Sequence, residues 1–355
     1  MRKKSLLLLT LFLAASLTFT GCGTSSDPAG TSSASTSTSG STVANPATAA
    51  PETTKPTVDY PKKEIQVIVP YKAGGDTDIY ARTILAQAQK ELGKAIVVVN
   101  VDGAGGSLGT SQVADADPDG YTALWMQPNL LMNNVTNLCD ITYDSFTGTA
   151  ISVMTRASVL IVKADSPYKD VNDLIKDMQA RPGKIIFATQ VGGYTHAVAL
   201  ALEKAAGSKL KKVDVGGGSA QITSIIGGQA DVCVVEAGIT KDYFTSGKVK
   251  ALGNLGNKRS LFLPDLSTVF EQGCKFDIGI EKFFFTTFPK ETPQEICDIF
   301  NAAIKKATES KEVKDSLANL YAEPAFIADE EADKYLKDML EYYMTMKEDL
   351  VNDKF

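Results

Sequence analysis

The residues able to do chemistry are few: one histidine, scattered carboxylates and two glycine-bearing polar loops. His196 is the single histidine, and it sits at the start of an apparent helix, where the dipole and local amides disfavour its protonation. It reads either as a capping or packing residue or as a polar wall of a ligand site. No Gly-x-Ser-x-Gly elbow accompanies it, so a hydrolase has no visible triad. One histidine with dispersed carboxylates makes no catalytic metal set. The run Gly103-Ala-Gly-Gly-Ser-Leu-Gly109 is spaced wrongly for a dinucleotide fingerprint, and the position about twenty residues on is Asn129 rather than an acid. An enzyme is therefore the weakest reading, and no cofactor or metal is expected.

What remains is anion binding. Ile65-Gln-Val-Ile-Val69 reads as a buried strand, and a helical pattern begins near Ile79. Between them lie Ala73, Gly74, Gly75, Asp76, Thr77 and Asp78, a glycine loop followed by N-cap residue types. A strand, glycine loop and helix N-terminus in succession aim free backbone N–H groups at one spot, a natural seat for a carboxylate. The plainer alternative is an ordinary strand-to-helix turn whose glycines only relieve backbone strain.

Strand-like and helix-like pieces alternate along the rest of the folded part. Strands are expected at 95–100, 119–126 (a turn leading into a strand), 160–162, 184–188, 231–236, 249–255 and 283–288. Helices are expected after Gly109, at 171–179, 196–206, 222–226, 294–310, 311–320 and 330–349. The strand at 184–188 leads into a second glycine-bearing polar loop, Thr189-Gln-Val-Gly-Gly-Tyr-Thr-His196. This is an α/β chain with parallel strand order favoured, and its ligands belong at the carboxyl ends of strands, where both loops fall.

The first residues stand outside the fold. Met1-Arg-Lys-Lys4 is basic, and Ser5 to Leu17 is an apolar run too short to span a bilayer. It ends in Phe19-Thr-Gly-Cys22, which resembles a bacterial lipobox and implies cleavage after residue 21 and lipid on Cys22; a plain secretory signal is the alternative. Residues 22–58 are rich in Ser, Thr, Ala, Gly and Pro and bury too little to order themselves, so they read as a disordered tether. Such a leash suits the outer face of a Gram-positive membrane. The whole chain carries net charge −6 and shows no basic patch, which argues against nucleic acid. Cys233 lies in an apolar run and is expected in the core, while pairing among Cys139, Cys274 and Cys297 cannot be read from spacing.

Seven motifs in order resemble the tripartite tricarboxylate transporter substrate-binding proteins, the TctC or Bug family. They are Val69-Pro-Tyr-x-x-Gly-Gly-x-Thr-Asp-x-x-x-Arg82, Val97-Val-Val-Asn100 with Gly103-Ala-Gly-Gly106, Asp119-Gly-Tyr-Thr122, Pro182-Gly-Lys184 leading to His196, Gly227-Gly-Gln-Ala-Asp-Val232, Pro264-Asp-Leu-Ser-Thr268, and Glu271-Gln-Gly273. The resemblance spans nearly all of residues 60–355. It implies a two-lobed type II periplasmic-binding-protein fold, with lobe 1 at 60–158 plus 280–355 and lobe 2 at 159–279. It further implies a monomer that binds a small carboxylate, an organic acid or amino acid, and delivers it to a permease of one large and one small membrane subunit. In that arrangement the loop 73–78 faces the loop 189–196 across the cleft. The ligand-binding residues expected are Ala73, Gly74, Gly75, Thr77, Asp78, Gln127, Thr189, Gln190, Gly193, Thr195 and His196, with Glu236 added because it ends the strand from Asp231 and such a strand end should face the cleft.

Two departures bear on the ligand. Where the family commonly shows Val-Pro-Tyr-Lys-Gly, this chain has Val213-Asp-Val-Gly-Gly217, followed by Gly218 and Ser219; where a Trp is common, it has Phe283 to Phe285. Glu236, with Asp78 and Asp214, is expected to bring negative charge near the site, favouring a ligand with one carboxylate and an ammonium or neutral polar end. The alternative is that Glu236 and Asp214 are solvated or paired with Lys211 or Lys212. A sensing module presenting its ligand to a signalling receptor is the second function class.

Overall fold

A computed structural model describes residues 58–353 except 257 and 275–281. The expectations for the leader, Cys22 and the tether lie outside the described residues. The described residues lie in one compact unit.

The chain builds one sheet, crosses to a second, and returns. The first pass comprises β1 (Ile65–Val69), α1 (Asp76–Leu92), β2 (Ile96–Asn100), α2 (Ser107–Ala114), β3 (Thr122–Met126), α3 (Asn129–Val135) and β4 (Phe146–Thr155). The second comprises β5 (Ser158–Lys163), α4 (Val171–Ala180), β6 (Ile186–Thr189), α5 (Tyr194–Ala206), β7 (Lys211–Asp214), α6 (Gly218–Ile226), β8 (Val232–Glu236), α7 (Ala237–Thr245) and β9 (Val249–Asn254). The return comprises β10 (Lys282–Pro289), α8 (Gln294–Glu309), α9 (Lys311–Asn319), β11 (Ala322–Ala328), α10 (Asp329–Met344) and α11 (Lys347–Asn352). The six-stranded sheet has order β11-β4-β10-β3-β1-β2, and the five-stranded sheet β7-β6-β8-β5-β9.

Both sheets are mixed, which corrects the expectation of parallel order. β1 runs parallel to β2 and β3, and β6 parallel to β7 and β8. These are the strands joined through α1, α2, α5 and α6, and a parallel pair needs such a crossover. β4 instead runs on into β5 across Arg156 and Ala157 alone, and β5 lies antiparallel to β8 and β9. β10, entered on return from the second sheet, is antiparallel to both β3 and β4.

Apolar faces fix the layers. Trp125, Tyr80, Phe283, Phe284, Phe285, Phe288 and Phe300 are fully buried in the first layer's core. The Phe284 ring meets Tyr80 edge-on, with centroids 4.8 Å apart. The second sheet buries one core on each face, one under α4 and α5 and one around α6 and β8. Cys233 is buried on β8, and Cys139, Cys233, Cys274 and Cys297 are all free. The layers approach closely at Gly238 in α7, where an added Cβ would lie 1.8 Å from the Leu320 carbonyl oxygen. Among the described residues no helix is long and apolar enough to cross a membrane, and no cluster of ligating side chains could hold a metal ion.

Candidate functional site

The carboxyl ends of β1, β6, β7 and β8 converge on one cavity of about 130 Å³. Helices α1, α5, α6 and α7 begin at its wall, with Gly75, Gly193, Gly217 and Glu236 at their N-caps, and none of the four supplies a side-chain cap. Each helix start leaves backbone N–H groups without intrahelical partners and adds a partial positive charge. Some of these donors are already engaged. Tyr194 N–H donates to Asn129 Oδ1 at 3.0 Å, and Thr77 N–H to Asp76 Oδ1 at 2.8 Å. The start of α6 is the most open, because a Cβ placed on Gly216 or Gly217 would meet nothing within 4 Å.

Both layers contribute walls and touch across the cavity. Ser219 Oγ donates to the Gly74 carbonyl at 3.0 Å. Asn129, at the start of α3, spans to the second layer by donating from Nδ2 to Gln190 Oε1 at 3.3 Å while accepting from Tyr194 N–H. Gln127 Nε2 donates to the Tyr71 hydroxyl at 3.2 Å, and that hydroxyl donates to the Gly105 carbonyl at 3.3 Å. The glycine-rich loop after β2 thus positions Tyr71.

The inner wall holds a buried charge cluster. Lys282, first residue of β10, pairs with Asp76 in the first turn of α1; their side chains are 12% and 11% exposed. Burial alone would lower the Lys282 pKa, but Asp76 and then Glu236 outweigh it and hold it above the ordinary value. Glu236, at the end of β8, is 2% exposed. Its Oε1 accepts from Ser158 Oγ at 2.5 Å, while Oε2 has no hydrogen-bond partner among the described residues. Burial raises the Glu236 pKa above the usual carboxylate range, with Lys282 opposing and Asp76 reinforcing the rise. Gln127 Oε1 and Gln221 Oε1 are likewise buried without partners. Their orientations are set by the other end of each amide, Gln221 Nε2 donating to the Gly216 carbonyl at 2.8 Å.

Of the residues expected from sequence, Ala73, Gly75, Thr77, Gln127, Gln190, Thr195 and Glu236 line this cavity. Gly74 presents only its carbonyl to Ser219. Asp78 turns away, accepting from Gly74 N–H, Asn100 Nδ2 and Arg82, and these bonds together lower its pKa against burial. Thr189 lies behind the wall, its hydroxyl 2.9 Å from that of Thr195. Gly193 packs on Asn129. His196 is 1% exposed and stands beneath the loop, accepting from Gly192 N–H at Nδ1 (3.3 Å) while Nε2 lies 2.9 Å from Asp353 Oδ2. Because Nδ1 accepts, Nε2 carries the proton and donates to Asp353, so the bland reading of this histidine as a packing residue fits its place. Glu236 faces Lys282 rather than Lys211 or Lys212, and exposed Asp214 accepts from Gly216 N–H.

Sequence reasoning names Asp76 and Tyr194 only as members of the two loops, and misses Tyr71, Asn129, Lys282 and the whole run Val215 to Gln221 as wall residues. In the sequence that run stands out only as a departure from the family pattern. Its signal was present in three consecutive glycines ahead of a helix, the same strand-loop-helix pattern as at 69–82.

The family model for the tripartite tricarboxylate transporter family receptor matches residues 80–350. Among curated relatives, Protein BugT of Bordetella pertussis is 27% identical over 303 residues, covering 84% of this chain and 92% of that protein. Among solved structures, the periplasmic binding protein BugD superposes with TM-score 0.76 at 27% identity, covering 83% of this chain and all of that one, 100%. MatC from Rhodopseudomonas palustris, solved with bound malate, superposes with TM-score 0.72 at 26% identity, covering 82% and 100%. Two mixed sheets with a cavity between them, in these proteins' fold, make this a periplasmic-binding-protein architecture. Substrate-binding receptors, not enzymes, make up the family, and this chain belongs to it: it is a receptor of the tripartite tricarboxylate transporter type.

Proposed function

We propose that this chain captures a small organic acid in the cavity between its two layers and delivers it to a membrane permease of one large and one small subunit. In this reading the protein stands outside the cytoplasm, held by lipid on Cys22 and by the tether 22–58. Residues 60–158 with 280–355 and residues 159–279 act as two lobes that close on the ligand. The observation that carries the reading is the convergence of four helix starts without side-chain caps on one small cavity. Malate in MatC, a protein of the same fold, supports a carboxylate as the ligand class. The ligand-contacting set proposed is Ala73, Gly75, Thr77, Gln127, Gln190, Thr195 and Glu236, joined by Gly217, Gly218 and Ser219.

A thermal-shift panel of mono-, di- and tricarboxylates, amino acids and aromatic acids tests this. An acid at a hundred times its dissociation constant adds about 2.7 kcal/mol, which raises the melting temperature by several degrees. The expected result is a saturable shift with at least one small acid. Absence of a shift with every acid, on protein unfolded and refolded to strip any retained ligand, contradicts the proposal.

A further inference from the structure

The cavity's buried charges do not balance. Asp76 and Glu236 supply two carboxylates and Lys282 one ammonium. The other charged residues of the lining, Lys72 and Asp102, sit 3.7 Å apart with side chains 84% and 43% exposed, and offset each other at the mouth. Lys282 is bonded to Asp76 and acts on Glu236 only through space, so of the two carboxylates Glu236 is the one with no bonded cation. A buried charge left without a partner is costly, and a ligand that brings the missing cation removes that cost.

The unpaired atoms tell the same story independently of charge. Glu236 Oε2, Gln127 Oε1 and Gln221 Oε1 are three buried oxygens on residues that line this cavity, and none accepts a hydrogen bond. All three want donors. A carboxylate offers none, and an ammonium offers three. The open amides at the start of α6 face the same space and want an acceptor.

We infer that the ligand is a zwitterion, an amino acid whose carboxylate sits on the amides of Gly218 and Ser219 and whose ammonium is taken by Glu236 with Gln127 and Gln221. The inference rests on the receptor reading above and deepens it by naming the ligand class. Glu236 then acts as the specificity-determining residue, separating amino acids from plain acids of the same length. A dicarboxylate would place a second negative group against the Glu236 carboxylate and leave the three acceptors unfilled.

The sign of the pH dependence follows. The charged or titratable groups near Glu236 are Lys282 from β10, Asp76 and Tyr80 from α1, and Tyr194 from α5. Burial holds both phenols above their ordinary range, and Lys282 stays charged, so Glu236 is the group whose protonation matters. An ammonium needs Glu236 ionised, so amino-acid affinity falls as the pH drops through the raised Glu236 pKa. A plain diacid would bind the protonated form, and its affinity would rise over the same interval.

Calorimetric titration with matched pairs decides the matter: alanine and propionate, leucine and isocaproate, glutamate and glutarate. The expected result is that in at least one pair the amino acid binds about tenfold or more tightly than its deaminated partner, with affinity weakening toward acid pH. In E236Q that ratio collapses toward one; the pH profile of the unaltered protein gives a readout that does not depend on the variant folding. A deaminated acid or dicarboxylate that binds as well as the amino acids, or better toward acid pH, overturns the inference and leaves the receptor reading standing. Binding of no acid in either class overturns both.

Discussion

Replacing Lys282 by methionine is expected to lower stability by about 3–5 kcal/mol, because it leaves two buried carboxylates facing each other without a cation. Methionine fills much the same volume, so the loss reports charge rather than a hole. Asp76 would retain only the Thr77 amide and hydroxyl. For a domain of this size the melting temperature should fall by on the order of ten degrees. In the variant, burial and the facing carboxylate both push the Glu236 pKa further above its unfolded value. A carboxyl whose folded pKa is raised destabilises the fold when ionised and ceases to do so as the pH falls through that pKa. The deficit should therefore shrink from pH 7 toward pH 5, and adding E236Q should recover part of it at pH 7. Chemical denaturation of the three proteins at the two pH values checks this, and a K282M variant as stable as the parent at pH 7 contradicts it.

Lys212→Met should cost a similar amount, about 3–5 kcal/mol, from a buried cluster outside the cavity lining. The Lys212 side chain is 2% exposed and bridges Glu203 Oε1 at 2.5 Å and Asp353 Oδ1 at 3.1 Å. Glu203 would keep Lys209 and the Leu210 amide, so the figure belongs at the lower end of that range. Asp353 would keep His196. Burial, and more weakly the Lys212 charge, now lower the His196 pKa against the pull of Asp353. Because His196 titrates lower in the folded than in the unfolded chain, its contribution is full above its ordinary value near 6.5 and is lost as the pH falls below it. Removing Lys212 should raise the histidine pKa and shrink that acid loss. A single histidine makes this a one-resonance NMR titration. A histidine pKa unmoved by K212M would show that the Lys212 charge does not act on the ring as described. Protonating Nδ1 would also break its bond to the Gly192 amide, which ties α11 to the ligand loop through one ring.

The sequence announces some of this plainly and conceals the rest for physical reasons. β1, α1 and the loop between them are legible because five apolar-rich residues, two glycines and an acidic helix start follow one another in the chain. β4 is hidden because its inward positions include Thr149, Ser152 and Thr155, polar residues buried in a strand broken by Gly148. β7 and β11 are edge strands, one carrying two lysines and a terminal acid, the other a proline, and edges lack the apolar run of a central strand. At the site, glycine loops can be read locally, but Lys282 meets Asp76 only because β10 returns to lie beside β3. No local pattern carries that pairing. Of the carboxylates expected near the cleft, Glu236 lies in the cavity wall, while Asp78 is taken by Arg82, four residues on in the same helix.

The central claim is that a small acid binds over the start of α6, and titration of Gly217→Val tests it most directly. Gly217 has φ −71° and ψ 177°, a conformation valine adopts freely, and its added Cβ meets nothing within 4 Å. The side chain would therefore stand in the cavity over the amides of Gly218 and Ser219 without disturbing the packing. The acid giving the largest thermal shift on the parent protein is titrated into both proteins. The account predicts one site per chain in the parent and loss of that binding heat in G217V, whose melting temperature without ligand matches the parent's. Equal affinity in the two proteins would place the ligand elsewhere and contradict the account.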